Sequence, residues 1–351
     1  MVIVMPPRGQ GQPDGSGIIQ TPCEVRMNAT TPEVRSDWRR DEIEALFDLP
    51  LLALLDRARA LHLRHHDAGR VQLATLANIK SGGCPEDCGY CPQSAHHEGA
   101  VANEPMMAVC DVVAAARRAR EAGAARFCMG AAWRRVRDGE AFDRVVEMVA
   151  AVHNEGLEVC VTLGMLEPHQ IARLRQAGLY AYNHNIDTSP EYYGDVVHTR
   201  GFDDRLQTLA HAREAGVSLC SGGILGMGET ESDRVGMLHV LATMDPHPES
   251  VPLNQLVRAP GTPLSSSAPL DPFEFIRVVA VARIVMPDAV LRLAAGRSTL
   301  SREAAAMAFY AGANSIFYGE KLLTTPNPDM SEDRALLAEL GLEPMQPAPR
   351  A

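Results

Sequence analysis

No apolar run in the 351-residue chain approaches the roughly 18 residues that a bilayer span needs. The most hydrophobic stretches, Leu51 to Leu55 and Val278 to Met286, are short or carry charge. A dense basic tract is also missing. Lys and Arg together number 33 against 44 Asp and Glu, for a formal charge of −11. Such an acidic chain is a poor partner for nucleic acid or for an anionic membrane surface. The N-terminus lacks the charged, apolar and cleavage regions of a signal peptide, and Asp14, Glu24, Glu33 and Asp37 argue against a transit segment. These absences point to a cytoplasmic protein with neither nucleic acid nor membrane as partner. A reducing cytosol disfavours structural disulfides among the eight cysteines, so those that cluster read as metal-binding or catalytic.

Hydrophobic residues make up 46% of the chain, enough for a large core, and the length permits one large α/β barrel or two ordinary domains. Residues 1–38, rich in Pro, Gly, Thr and Ser, read as a disordered extension, and residues 344–351 as a flexible tail. Between them, residues 39–343 read as one domain. It opens with apolar residues at helical spacing over 41–66, which Pro50 should divide or kink. A repeat follows in which a helix-like segment ends in Gly and a short apolar strand comes next. The series is EAGAARFCMG, NEGLEVCVTLG, QAGLYAYNHNID, EAGVSLCSGGIL and AGANSIFYG. Gly123, Gly156, Gly178, Gly216 and Gly312 stand where a left-handed helix cap favours Gly. Strands over Val71–Lys80, Ser250–Val257 and Ala289–Ala295 bring the count to eight, and helical segments alternate with them. This alternation implies parallel pairing. An open doubly wound sheet is the alternative. Eight evenly spaced units favour a TIM-type (β/α)8 barrel with an N-terminal helical extension, whose active site lies at the C-terminal ends of the strands.

Directly after the first strand comes SGGCPEDCGYCPQS, with Cys84, Cys88 and Cys91 spaced C-x3-C-x2-C. Thiolates so close on a Gly- and Pro-bearing loop can converge on one soft metal centre. Closed iron–sulfur clusters take four cysteines, so three leave one iron open. A zinc site completed by His96 or His97, or three unrelated thiols, are the other readings. Cys128, Cys160 and Cys220 fall on the second, third and fifth strands, each four or five residues after its Gly. A strand cysteine is usually a small buried hydrophobe, but three at equivalent depth favour metal binding.

The triplet with Tyr90 before its last Cys resembles the signature of radical S-adenosylmethionine enzymes. RFCMGAAW (126–133), YNHNIDTS (182–189), CSGGILGMGET (220–230) and NSIFYGEKLLTTPNP (314–328) resemble the biotin synthase family, and the likeness runs from about residue 45 to about 343. The resemblance implies a sulfurtransferase that converts dethiobiotin to biotin, consuming two S-adenosylmethionine molecules. It implies a 4Fe-4S cluster on Cys84, Cys88 and Cys91. It also implies a 2Fe-2S cluster on Cys128, Cys160, Cys220 and Arg292 that serves as sulfur donor. Arginine is an odd ligand, since guanidinium offers only donors. The bland reading of Arg292 is charge neutralisation, and Arg297 is its nearest competitor. Asn185 and Asp187 are implied ribose contacts, with Asn185 and Asn254 against the substrate's cyclic urea and Ile224 near the adenine. Strand alternation places Asn183, Asn185 and Asp187 on one face; local backbone capping is the other use of such Asn side chains. An electron donor such as flavodoxin and a homodimer are also implied. Gly226-x-Gly228 lacks the third glycine of a dinucleotide loop. Cys23 and Cys110 read as bystanders, and most of His65, His66, His96, His97, His153 and His169 as solvated.

Overall fold

Parallel strands buried on both sides need apolar residues on each face, and this chain supplies them in eight places. The computed structural model describes residues 34–98, 101–319, 321–322 and 325–346. The extension expected over residues 1–38 lies outside the described residues up to Glu33, as do Cys23 and residues 347–351 of the expected tail.

The barrel strands are β1 (Arg70–Lys80), β2 (Arg126–Ala131), β3 (Glu158–Thr162), β4 (Leu179–Asn183), β5 (Ser218–Cys220), β6 (Gly223–Leu225), β7 (Ser250–Gln255), β8 (Val290–Leu293) and β9 (Ser315–Phe317). All pairings among them are parallel, and β1 pairs with both β2 and β9, which closes the barrel. β5 and β6 share the fifth position, since both pair with β7. The interruption at Ser221 and Gly222 has a steric cause. A Cβ on Gly222 would lie 2.0 Å from the Pro252 carbonyl oxygen, and one on Gly223 would lie 2.1 Å from Met237 Sδ. Only glycine lets the chain pass there.

Helices run between successive strand positions, among them 109–121, 140–154, 168–176, 202–214, 231–242, 272–285 and 302–310. Gly123, Gly156, Gly178, Gly216 and Gly312 all have positive φ at the helix ends, as a left-handed cap requires. Ser189, Thr230, Asp271 and Ser301 accept backbone hydrogen bonds at helix starts. Outward strand residues such as Phe127, Met129, Val159, Val161, Leu291 and Leu293 join the helices in the main apolar core. Pro50 divides the N-terminal segment into helices Arg40–Phe47 and Leu51–His65. Arg277, on helix 272–285, fastens that junction by donating to the carbonyls of Phe47 and Leu49, both at 2.8 Å. Glu343–Pro344 pairs in parallel with the start of β1. Among the described residues no helix is long and apolar enough to cross a membrane.

Candidate active site

Alternation along the strands fixes what points into the barrel. Phe127 and Met129 face the helices, so Cys128 between them faces inward. Cys128 is the direct partner of Cys160, and Cys220 pairs with Asn183. The three thiols are buried and meet in one interior cluster with Ala181, Leu76 and Phe317. Arg292, fully buried on β8, donates from Nη1 toward Cys220 Sγ at 3.7 Å. Its Nε donates to Ser315 Oγ at 2.9 Å and its Nη2 to Gln72 Oε1 at 2.8 Å. Asn183 Nδ2 also reaches Cys220 Sγ, at 3.2 Å. Cys160 lies between the other two thiols. Donation from it holds Cys128 below and Cys220 well below the usual thiol range, against burial, with Arg292 and Arg126 adding favourable charge. Two of the three sulfurs are thus favoured as thiolates, while Cys160, which donates to both, is pushed well above the usual thiol range.

Above it, the loop after β1 carries the other three thiols. Cys84 N donates to Gln93 O at 2.9 Å and Ala95 N to Cys84 O at 2.8 Å, which folds the loop back on itself. Gly89 N donates to Val196 O at 2.9 Å. Burial pushes the Cys88 thiol up to about 12 and Cys91 up to about 11. Bound metal would have to displace these protons. His96 and His97 do not turn to the sulfurs. Their Nε2 atoms lie 3.1 Å from Pro85 O and 2.9 Å from Cys88 O. Among the described residues no three His, Cys, Asp or Glu side chains are grouped as ligands of a single metal ion. Both sets of thiols instead line one cavity of about 320 Å3. A soft, sulfur-rich donor set without a fourth protein ligand on the loop fits an iron–sulfur centre better than zinc.

The same cavity takes in Tyr90, Asn185, Asp187, Ile224, Asn254 and Arg292, so every residue that the resemblance assigns to the site borders one space. Three details depart from expectation. β4 ends at Asn183 and Asp187 has φ 69°, so alternation lapses and His184 lines the cavity too. The Asp187 carboxylate accepts from the Tyr90 hydroxyl at 2.7 Å and pairs with Arg205, a residue that helix 202–214 delivers. Burial, then the Asp187 charge, pushes the Tyr90 phenol well above its usual range, so it remains a donor. Asn254 spends both ends of its amide on backbone: Oδ1 accepts from Ala295 N at 3.0 Å and Nδ2 donates to Gly223 O at 2.9 Å. Asn185 keeps a freer side-chain amide, while its backbone carbonyl accepts from Arg205 Nη1 at 2.7 Å.

Arg297 turns away from the thiols. Its Nη1 and Nη2 donate to the two Asp333 carboxylate oxygens at 2.6 and 2.7 Å. Cys110 is exposed on helix 109–121. His65 and His66 are not solvated as expected. The His65 side chain is 6% exposed and pairs with Asp288, and His66 contacts Arg283 and Pro287 O. The sequence reading passed over Arg200 and Arg205, which border the cavity. The signal was two arginines in HTRGFDDRLQ, eight residues beyond YNHNIDTS, where the chain leaves the fourth strand's end for helix 202–214.

Residues 78–241 match the Radical SAM superfamily, and residues 252–343 match the Biotin and Thiamin Synthesis associated domain. The chain is 59% identical over 314 residues to the biotin synthase of Sorangium cellulosum (strain So ce56), covering 90% of each. It is 56% identical over 326 residues to the biotin synthase of Allorhizobium ampelinum, covering 93% of this chain and 99% of that one. Among solved structures, methylornithine synthase superposes with TM-score 0.74 at 18% identity, over 88% of this chain and 94% of that one. The FeFe-hydrogenase maturase from Carboxydothermus hydrogenoformans gives TM-score 0.74 at 19% identity, over 88% and 76%. At such identities these two speak for the barrel alone.

Proposed function

The chain belongs to the biotin synthase family, and from that premise we propose that it inserts sulfur into dethiobiotin as a radical S-adenosylmethionine enzyme. One observation carries the reading: two sets of three thiols, on a loop and deeper inside, border a single barrel cavity. Cys84, Cys88 and Cys91 hold a 4Fe-4S cluster, and Cys128, Cys160, Cys220 and Arg292 hold a 2Fe-2S cluster. When bound, the first with S-adenosylmethionine supplies a 5′-deoxyadenosyl radical that takes hydrogen from unactivated carbon, and the second supplies sulfur.

The chain's own task is to hold, orient and shield. Tyr90 and Arg205 fix the Asp187 carboxylate, so one geometry of a ribose diol is favoured over others. Asn185 offers amide groups to the cofactor ribose and the cyclic urea. The backbone-tethered Asn254 has one remaining N–H to direct at the same ring. Arg292 balances anionic sulfur that would otherwise be costly to bury. The barrel wall excludes water from the radicals. An electron donor such as flavodoxin delivers electrons, two chains associate as a homodimer, and the enzyme works in the cytoplasm.

The test is anaerobic reconstitution with iron, sulfide, S-adenosylmethionine, dethiobiotin and a reductant, with biotin and 5′-deoxyadenosine measured together. Both should form. Deoxyadenosine without biotin would keep the radical class and remove the sulfur-insertion assignment.

A further inference from the structure

Glu86 lies between the first two cysteines of the loop and is 3% exposed. A carboxylate is thus buried beside the place where an anionic centre would sit, and like charges in such a setting repel strongly. Its neighbour Asp87 is fully engaged: it accepts from His198 N at 3.0 Å, from Thr199 N at 3.1 Å and from Thr199 Oγ1 at 2.9 Å. Glu86 is less well matched. The Thr199 hydroxyl also touches Oε2, but its single proton serves either Asp87 or Glu86. Among the described residues Oε1 has only two guanidinium groups at long range, Arg134 Nε at 3.3 Å and Arg200 Nε at 3.6 Å, and makes no hydrogen bond.

The Arg134 side chain is 41% exposed, so water screens it, but the Arg200 side chain is 6% exposed. Arg200 borders the cavity beside Cys84, Cys88 and Glu86. Its Nε and Nη1 meet no hydrogen-bond acceptor among the described residues. A guanidinium taken out of water is costly when its Nε has only the Glu86 carboxylate at 3.6 Å and its Nη1 has no acceptor, and it is retained where a further anion will complete it.

We propose that Arg200 turns its unmet donors on the iron–sulfur centre of Cys84, Cys88 and Cys91, and that Arg200 and Glu86 together set that centre's reduction potential. The inference rests on the reading that this triplet holds a four-iron cluster. Hydrogen bonds to sulfur and nearby charge are the levers by which proteins move such potentials. A guanidinium stabilises the state with one more electron, whereas a carboxylate destabilises it.

The experiment is a potentiometric titration of the anaerobically reconstituted full chain, without S-adenosylmethionine, using dithionite as reductant. The signal is the low-temperature electron paramagnetic resonance of the reduced four-iron centre. One electron from dithionite takes the cluster core from the 2+ to the 1+ level, and no bond is made or broken. Arg200→Met should lower the potential enough to change the reduced-to-oxidised ratio roughly tenfold, ~59 mV for a one-electron couple. Glu86→Gln should move it the opposite way, and Arg200→Lys should stay nearer the parent. A purely structural role would cost cluster content in both variants without opposite shifts. If Arg200→Met fails to assemble the centre, Glu86→Gln still decides: an upward shift supports the proposal and an unmoved potential overturns it. Weakened S-adenosylmethionine binding in Arg200→Met with an unchanged potential would also overturn it, giving those donors to the cofactor's carboxylate. A parent chain that assembles no four-iron centre refutes the underlying reading as well. A parent that assembles one, with variants at the parent potential, refutes only this inference.

Discussion

Arg297 and Arg292 were rival readings of one role, and the structure separates them in a way that stability can test. Arg297 Nη1 and Nη2 clasp Asp333 at 2.6 and 2.7 Å, with side chains 5% and 2% exposed. Arg297 Nη2 also donates to Phe317 O at 3.0 Å. Asp333 sits on helix 330–339, so the pair ties the C-terminal helix to the barrel rim. Removing one member of a buried pair leaves an uncompensated charge and costs about 3–5 kcal/mol. Arg297→Met should therefore lower the urea midpoint of the apo chain at unchanged slope. At about 2–4 °C per kcal/mol, the melting temperature should fall on the order of 10 °C. Asp333→Leu alone should cost as much. The double variant should be more stable than either single one, because apolar replacement of a whole buried pair is often close to neutral. Below its midpoint, Arg297→Met should take up as much iron and sulfide on reconstitution as the parent, whereas Arg292→Met should not. Additive losses in the double variant, or a selective loss of iron in Arg297→Met, would refute the assignment.

Other outcomes are equally definite. His62 is pushed from an ordinary 6.5 down to about 3, by burial first and the Arg283 charge second. Its folded value is depressed, so protonation favours the unfolded chain. Stability should be full above about pH 6.5 and fall as pH drops toward 3, by at most about 1.4 kcal/mol per pH unit from this group; His62→Gln should flatten that slope, and an unchanged slope would count against a buried neutral imidazole. Cys160→Ala should lose the iron share of the two-iron centre and all biotin formation while keeping some cleavage of S-adenosylmethionine, whereas Cys84→Ala should abolish both products; normal biotin yield from Cys160→Ala would refute the sulfur-donor role. Tyr90→Phe removes the 2.7 Å bond to Asp187. Hydrogen bonds to charged groups are worth about 1.5–3 kcal/mol, so S-adenosylmethionine should bind roughly tenfold weaker or worse. Unchanged affinity in equilibrium binding would sink the orienting role.

Local chemistry made the barrel readable. Each Gly at a helix end announces the next strand, because a left-handed cap is needed there wherever the chain turns back. The break in the fifth strand was not readable. It depends on Pro252 and Met237 arriving from elsewhere in the chain. The same limit hid Arg200 and Arg205. On a helical or loop pattern an arginine looks solvated, and only its long-range partners, Glu86 and Asp187, reveal it as buried. The three residues Asn183, Asn185 and Asp187 do reach one cavity, though not by the alternation that suggested it. β4 has already ended, and the turn at Asp187 brings it to Tyr90.

The convergence of Cys128, Cys160 and Cys220 shows how far counting from a glycine carries. Cys128 follows Gly123 by five residues and Cys160 follows Gly156 by four, which would place them on opposite faces if every strand began at the same offset. Ala124 and Ala125 fill the first connection where Leu157 alone fills the second. Arg126 therefore pairs with Glu158, and Cys128 falls level with Cys160. Cys220 follows its glycine by four as well, yet the partners run from Cys160 to Ala181 and from Ala181 to Ser218, two residues short of Cys220. A two-residue offset preserves the inward face, because side chains alternate with period two. Strands of a closed barrel are tilted and staggered, so equal depth along the axis is reached by stepping along the register. Shifting any one of these strands by a single residue would turn its thiol outward, so the inward sulfur trio is a property of the register as much as of the cysteines.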